Sequence, residues 1–228
     1  MHSATSSVAA ASVTAEPARE RLWVSSALAT VVFWAALLVF GALRPGYSQF
    51  TKAVSELGAI GSPYALAWNL VGFILPGLLL ARGGARIASA LDRPRGGTWW
   101  ALVLTGLAFA GTGVFPAVIV NGTPAMRAPL TVGHIIMMMA SSGCWLVALV
   151  LLIRRVPQWM RPVMLALTCV AVAGLAANVF HDLIPLLADR PGLAQRLGFA
   201  GFFAWYVGMS SLTSAVSARR LSSKKLVG

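Results

Sequence analysis

The sequence predicts an all-α integral membrane protein, a bundle of six transmembrane helices with both termini in the cytoplasm. Of its 228 residues, 58% are hydrophobic and only 11% are charged, whereas a soluble domain carries about 25% charged residues. Six apolar segments long enough to cross a bilayer are separated by short polar or basic stretches. The net charge of +12 does not indicate nucleic-acid binding, because the Lys and Arg residues form short clusters between apolar segments and not one basic face.

The first three spans are recognised by their length and their borders. Leu22–Leu43 has 22 residues without a charge, which make about 33 Å of helix. Pro63–Ala81 begins with a proline, which the first turn of a helix tolerates, and is followed by the basic loop Arg82–Gly97. Thr98–Phe115 begins with two tryptophans at the expected headgroup level, and its glycines predict close approach of a neighbouring helix.

The last three spans follow the same alternation. Leu130–Ile153 comes after a loop with an Asn-Gly turn signal, and Pro162–Phe180 comes after three arginines. Gln195–Val216 follows a short polar loop. The chain is thus divided into a disordered cytoplasmic tail (1–20), a membrane domain (21–218) and a basic cytoplasmic tail (219–228).

The distribution of basic residues predicts the orientation. Thirteen of the 18 Lys and Arg residues lie at the termini or in the second and fourth connections, and five lie on the other side. Because basic residues are enriched on the cytoplasmic side, both termini are expected there, in the cell membrane. The two cysteines lie in the middle of spans and are expected to be small buried hydrophobes.

Several polar residues are predicted to meet at the outer ends of the helices. Ionisable residues at or inside a membrane are costly and are functional candidates. The predicted acid–base cluster consists of Glu56, His134, His181 and Asp182. The residues expected to bind the substrate are Trp68, Asn69, Asn178 and Trp205, with Trp34 as a further aromatic wall of the site.

Each candidate has a structural alternative. Glu56 can form only a solvated pair with Lys52, four residues earlier. His134 can be a satisfied interfacial side chain, and His181 with Asp182 can end the fifth helix. The asparagines can bond across helices, and the tryptophans can serve as interface anchors or packing. No HExxH or HxxxH spacing occurs, so neither a metal nor a cofactor is expected.

Three segments carry a family resemblance: YSQFTKAVSELGAIGSPYALAWNLVGFILPGLL, GTGVFPA and GLAQRL, together with the histidine of the fourth span. They resemble a family of small prokaryotic membrane proteins known as domain of unknown function 998, over about residues 25–220. The resemblance implies six helices and a membrane location and supplies no reaction. The family commonly has an acidic residue after the Phe-Pro, where this chain has Ala117. The matching positions are Ser55, Glu56, Pro63, Asn69, Phe115, Pro116, His134 and Arg196.

These observations lead to two functional hypotheses. The first is an integral membrane enzyme that cyclises or isomerises an isoprenoid or lipid-like substrate by acid–base chemistry, by analogy with small membrane-embedded terpene cyclases. The second is a non-catalytic membrane protein: a small transporter, or a subunit that binds a lipid or a partner protein. The expected partners are the bilayer and an apolar small molecule. The sequence indicates no oligomeric state.

Overall fold

The structure is a computed structural model that describes residues 23–120 and 123–227, with side chains described up to residue 217. Within this part of the chain, six helices are long and apolar enough to cross a membrane, so the predicted fold class is confirmed. The predicted tail 1–20 lies outside the described residues. The helices are α1 (Val24–Leu43), α2 (Ala65–Leu91), α3 (Gly97–Val114), α4 (Pro129–Leu152), α5 (Arg161–Val179) and α6 (Pro191–Val227).

The connections divide the bundle into two ends. We call the end that carries residues 44–64, 115–120, 123–128 and 180–190 the cap end, and the opposite end, where α1 begins, the terminal end. The α3–α4 connection contains an antiparallel pair of two-residue strands, β1 (Ile119–Val120) and β2 (Thr123–Pro124). Which end faces the cytoplasm stays a prediction from the distribution of basic residues.

Two helices of the bundle differ in length from the prediction. The expected loop Arg82–Gly97 is mostly helical, because α2 continues ten residues past Ala81 to Leu91. Arg82 is exposed, and Arg86 donates a hydrogen bond to the Ser25 hydroxyl on α1 (3.2 Å), so neither side chain requires the helix to stop. Helix α6 begins at Pro191 and continues through the expected basic tail to Val227. Basic residues therefore do not end either of these two helices.

The packing order of the helices creates two helix pairs. Helix α4 packs mainly on α3, and α5 packs on α6, although α4 and α5 are consecutive in the chain. Helices α1 and α2 lie between the pairs, since both contact α6 and α2 also packs closely on α3. A Cβ at Gly106 of α3 would lie 2.6 Å from the Cα of Ala81 on α2, so glycine allows this close approach, as the glycine-rich third span predicted.

Aromatic rings fill the centre of the bundle. Phe33 on α1 contacts the rings of Trp68, Phe109 and Phe203 at centroid distances of 6.2, 6.0 and 4.8 Å. Phe33 and Phe203 are fully buried. The rings therefore join α1, α2, α3 and α6 into one core, whereas much of α4 and α5 faces outward with exposed aliphatic side chains, as expected for helices surrounded by lipid.

A polar network closes the terminal end. The Asp92 carboxylate pairs with the Arg155 guanidinium at 2.5 Å and accepts a hydrogen bond from the Thr98 hydroxyl at 3.0 Å. A hydrogen bond from the backbone N–H of Arg93 lowers the pKa of Asp92, and Thr98 and Arg155 add to this effect. The network connects the α2–α3 and α4–α5 loops.

Candidate functional site

Arg196 is the centre of the cap end. It lies on α6 and is only 8% exposed. Its guanidinium donates hydrogen bonds to the Gln49 side-chain oxygen (2.9 Å), the Tyr47 hydroxyl (2.7 Å), and the carbonyls of Lys52 (3.1 Å) and Gly192 (2.7 Å). The positive charge therefore has four neutral acceptors, three of which belong to the α1–α2 loop. This arginine fastens that loop onto the start of α6.

Tyr47 extends this network. Its hydroxyl accepts from Arg196 and donates to the Ala53 carbonyl at 3.1 Å. Burial raises the pKa of Tyr47, although the charge of Arg196 opposes the shift. The guanidinium carbons of Arg44 and Arg196 lie 5.8 and 5.7 Å from the centroid of the Tyr47 ring, within the range of cation–π attraction.

Glu56 has local partners. It lies in a short 3₁₀ helix, Val54–Gly58, and its carboxylate accepts a hydrogen bond from the Ala53 N–H at 3.0 Å, which caps the helix. The other carboxylate oxygen lies 3.8 Å from Lys52 Nζ, so the ion pair anticipated from the sequence is present. The Glu56 carbonyl accepts from the side chains of Arg44 and Ser62. These contacts give Glu56 a structural role in the loop.

Asn69 connects the loop to α2. Its side-chain N–H donates to the Gly58 carbonyl at 2.9 Å. A Cβ at Gly58 would collide with the Asn69 side chain, so glycine is needed for this approach. The segment Asn69–Ile74 is π-helical, a rare conformation that is frequent at functional sites. It places Phe73 against the cavity described below.

His134 is buried beside this segment. Its Nδ1 lies 2.9 and 3.0 Å from the carbonyls of Thr112 and Phe115 at the end of α3. Because two carbonyls can only accept, Nδ1 carries the proton and Nε2 presents a lone pair. Nε2 is buried without a hydrogen-bond partner among the described residues, and the ring packs edge-on against Phe73 at a centroid distance of 5.9 Å.

His181 and Asp182 lie at the end of α5. The His181 Nε2 is 3.2 Å from the Asp182 carboxylate, and its Nδ1 is 3.1 Å from the Asn178 carbonyl. The Asp182 side chain is 81% exposed. In the described part of the chain, no hydrogen bond or ion pair joins Glu56, His134 and the His181–Asp182 pair to one another, so each of the three has its own partners.

The predicted aromatic walls belong to the core. Trp68 and Trp205 are fully buried. The Trp205 indole donates to the Thr168 hydroxyl at 3.2 Å, and Trp68 packs against Phe73 at 5.5 Å. Trp34 packs edge-on against Phe33 at 5.5 Å. The packing alternative for these tryptophans agrees with their contacts.

A cavity of about 70 Å³ lies between the two helix pairs. It extends from Asn178 and Gln195 at the cap end to Ala171 and Phe202, seven residues along each helix and therefore about 10 Å. Its wall is mainly aromatic, with Phe73, Phe109, Phe199 and Phe202. Part of its wall comes from α4 and α5, which are consecutive in the chain but pack on different partners.

The polar groups of the cavity come from four helices, with Thr112 on α3. Ser141, Ser142 and Trp145 lie on α4, Asn178 on α5 and Gln195 on α6. The Ser141 hydroxyl donates to the Thr105 carbonyl at 3.0 Å, and the Gln195 side-chain oxygen accepts from the Val54 N–H at 2.6 Å.

Trp145 differs from Ser141 and Gln195 in that its polar atom is buried without a partner in the described part of the chain. It is 2% exposed, and its Nε1–H has no hydrogen-bond partner among the described residues. An unpaired buried donor is costly, so Trp145 marks the polar group of this cavity that requires a partner.

The cavity and the predicted site overlap only in part. Among the residues named from the sequence, Asn178 lines the cavity, whereas the others lie in the cap or the core. Trp145, Ser142 and Gln195 were missed as site residues. The sequence signal for these residues was weak. It consisted of a serine pair and a tryptophan in the middle of a predicted span, away from the expected headgroup region.

Comparison with known proteins gives one family. A family model described as "Protein of unknown function (DUF998)" matches residues 27–212. No curated protein and no solved structure matches the chain.

Proposed function

We propose that this chain, which belongs to the DUF998 family, is a membrane protein that binds one end of a lipid-like molecule in the cavity between its two helix pairs. The observation that carries the proposal is that Trp145 lines a cavity whose wall is otherwise largely apolar, while its Nε1–H is buried without a partner among the described residues. Ligand sites combine such apolar walls with a few polar groups that orient the ligand.

The cavity size limits what can enter. An apolar cavity of about 150 Å³ accommodates benzene, and the present cavity has about half that volume, about 70 Å³. A ring does not fit, whereas a slim chain end or a single polar group does. The remainder of the ligand would lie between α4 and α5, in contact with lipid.

The composition of the wall favours binding over acid–base catalysis. The residues that line the cavity include no Asp, Glu, His, Lys or Arg. Glu56 instead caps a short helix, and Asp182 is exposed to the surroundings. A proton donor or acceptor would have to reach the cavity from outside its wall. The non-catalytic lipid-binding hypothesis is therefore the better supported of the two.

A pair of adjacent substitutions tests the proposal. Ser142 lines the cavity, whereas Gly143 is exposed and a Cβ there would meet no atom within 4 Å. Ser142→Leu should fill the cavity, and Gly143→Leu should add the same side chain on the outside. In phosphatidylcholine vesicles, a diazirine-bearing sixteen-carbon probe should label α4–α6 peptides of the wild type and of Gly143→Leu, with labelling strongly reduced in Ser142→Leu. Equal labelling of the three proteins would contradict the proposal.

Acid–base catalysis is the second candidate because of His134. Its Nε2 is an unpartnered buried acceptor, and Phe73 and Thr112, which contact or bond the imidazole, also line the cavity. With Nδ1 fixed as the donor, Nε2 is the atom that would accept a proton from a substrate. The expected chemistry is the cyclisation or isomerisation of an isoprenoid.

His134→Asn distinguishes this role from a structural one. The asparagine amide can replace Nδ1–H as donor to the carbonyls of Thr112 and Phe115 but offers no group at the position of Nε2. If His134 is a base, membranes containing His134→Asn should lose conversion of isoprenoid epoxides or alkenes while the protein stays folded. Conversion at the wild-type rate, or its absence from the wild type, would reject the role.

A further inference from the structure

Building on the proposed function, we infer that the ligand is an uncharged long-chain alcohol, whose hydroxyl enters the cavity and pairs with Trp145 and Ser141. Three properties of the described residues lead to this ligand class: the absence of charge from the cavity wall, the kind of polar group left unpaired, and the geometry of α4.

The ligand group inside the cavity is uncharged. Transfer of an ionised group into an apolar cavity is strongly unfavourable unless a counter-charge accompanies it. The wall supplies no such side chain. A fatty acid, an amine or a phosphate would therefore leave its head outside, at the membrane surface, and would not pair with Trp145.

The unpaired group is a donor, so the ligand must bring an acceptor. The hydroxyls of Thr112 and Ser141 already donate to the carbonyls of Phe109 (2.6 Å) and Thr105 (3.0 Å). Their oxygen lone pairs remain as acceptors, whereas the Trp145 Nε1–H remains as a donor. An alkane would leave this donor unpaired.

A hydroxyl matches both kinds of group. Ser141 and Trp145 are four residues apart on α4 and therefore on one face of the helix, and both line the cavity. A ligand hydroxyl accepts from the Trp145 indole through its oxygen and donates its proton to the Ser141 oxygen. A carbonyl satisfies only the first of these bonds.

The position of Trp145 also determines which end of the ligand enters. Asn178 and Gln195 lie near the ends of α5 and α6 at the cap end, where headgroups and water are close, and Gln195 already pairs with Val54. Trp145 is the seventeenth of 24 residues on α4, about 24 Å along the helix from Pro129. Its partner must therefore be an oxygen placed deep in the bundle, which enters from the lipid side between α4 and α5.

Competition experiments test this inference. Unlabelled hexadecan-1-ol, hexadecane and hexadecanoate are compared as competitors of the diazirine probe, with wild type, Trp145→Phe, Ser141→Ala and, as the matched control outside the cavity, Trp100→Phe. The alcohol should displace the probe from the wild type more effectively than the other two. Trp145→Phe should raise the half-displacing concentration of the alcohol about 5- to 10-fold and leave that of the alkane unchanged.

Ser141→Ala is a smaller change and provides a second test if Trp145→Phe does not fold. It should also raise the half-displacing concentration of the alcohol and leave that of the alkane unchanged. The alcohol assignment would be overturned if hexadecanoate competed as well as hexadecan-1-ol. It would also be overturned if both variants changed the half-displacing concentrations of the alcohol and of the alkane equally. Labelling that Ser142→Leu does not reduce would instead reject the cavity itself, so failure of this inference is distinguishable from failure of the proposed function.

Discussion

Replacement of Arg196 by alanine should detach the α1–α2 loop from the bundle. The Arg196 side chain is 8% exposed and donates four hydrogen bonds, three of them to residues of that loop: Tyr47, Gln49 and Lys52. Alanine removes all four donors at once. The acceptors in the loop then have to turn to water, and the loop loses its connection to α6.

The magnitude follows from the number and kind of these bonds. A hydrogen bond from a charged donor contributes about 1.5–3 kcal/mol. Alanine also removes the cost of burying the guanidinium, which offsets part of the loss. We therefore expect the free energy of unfolding to fall by about 3–5 kcal/mol, below the simple sum of the bonds. Arg196→Lys, which keeps the charge but loses the planar fork, should lose roughly half as much.

Unfolding by dodecyl sulphate, monitored by tryptophan fluorescence in mixed micelles, measures this difference. Arg190→Ala is the matched control, because Arg190 is an exposed arginine in the adjacent connection. Limited proteolysis should cut the 44–64 segment faster in Arg196→Ala than in Arg190→Ala. Unfolding free energies of the two variants within about 0.5 kcal/mol of each other would refute the assignment of Arg196 as the centre of the cap.

Three further predictions concern ionisable groups. The pKa of Asp92 is lowered in the folded protein, so its stabilising contribution is present above its unfolded pKa of about 3.9 and is lost as the pH falls through the lower folded value. At pH 7, Asp92→Asn should lower the free energy of unfolding by about 1 kcal/mol, because the half-exposed Arg155 is partly screened by solvent. The difference between the two proteins should disappear in strong acid. The pKa of Tyr47 is raised, so its contribution to stability is complete below about pH 10 and is lost as the pH rises through the folded pKa. Tyr47→Phe should lower the free energy of unfolding by about 1–2 kcal/mol, because Arg196 and the Ala53 carbonyl lose a partner. In the same dodecyl sulphate titration, this difference from the wild type should shrink in strong alkali. Glu56→Gln should lower stability slightly and leave any conversion of isoprenoid substrates unchanged, since the carboxylate caps a helix; loss of product formation at wild-type stability would restore Glu56 as a catalytic acid.

The sequence predicts local features of this molecule better than distant ones. The six spans follow from hydropathy and length alone. The Lys52–Glu56 pair follows from a four-residue spacing and is present at 3.8 Å. Both depend on residues that are close in the chain. The length of α2 was wrong because basic residues were taken as the end of the helix, whereas α2 continues past Arg82 to Leu91. Helix α6 begins at Pro191, four residues before the predicted start.

The cap and the cavity depend on contacts that the sequence does not encode locally. Arg196 was recognised from the sequence as a basic residue on the outer side and as a position that matches the family, but not as the centre of a network, because its partners Gln49 and Tyr47 lie 147 and 149 residues away. The cavity exists because α4 and α5, although consecutive, pack on α3 and α6. Hydropathy cannot distinguish this arrangement from one in which α4 and α5 pack together, and so Trp145 could not be separated from a core tryptophan.

The family resemblance covers the cap and only part of the cavity wall. Glu56, Asn69, His134 and Arg196 match the family pattern, and each hydrogen-bonds a loop or the end of a helix at the cap end. The pattern therefore accounts for how the cap is held together. It does not describe the deep wall around Trp145, which lies outside the segments that carry the resemblance.

Gln195 connects the cavity wall directly to the α1–α2 loop. It lies beside Arg196 in one of the family segments, lines the cavity, and accepts a hydrogen bond from the Val54 N–H at 2.6 Å. The short helix that Glu56 caps is thus bonded to a residue of the cavity wall. A cap that is loosened at Arg196 should consequently disturb the upper end of the cavity, whereas a change at Trp145 should leave the cap intact.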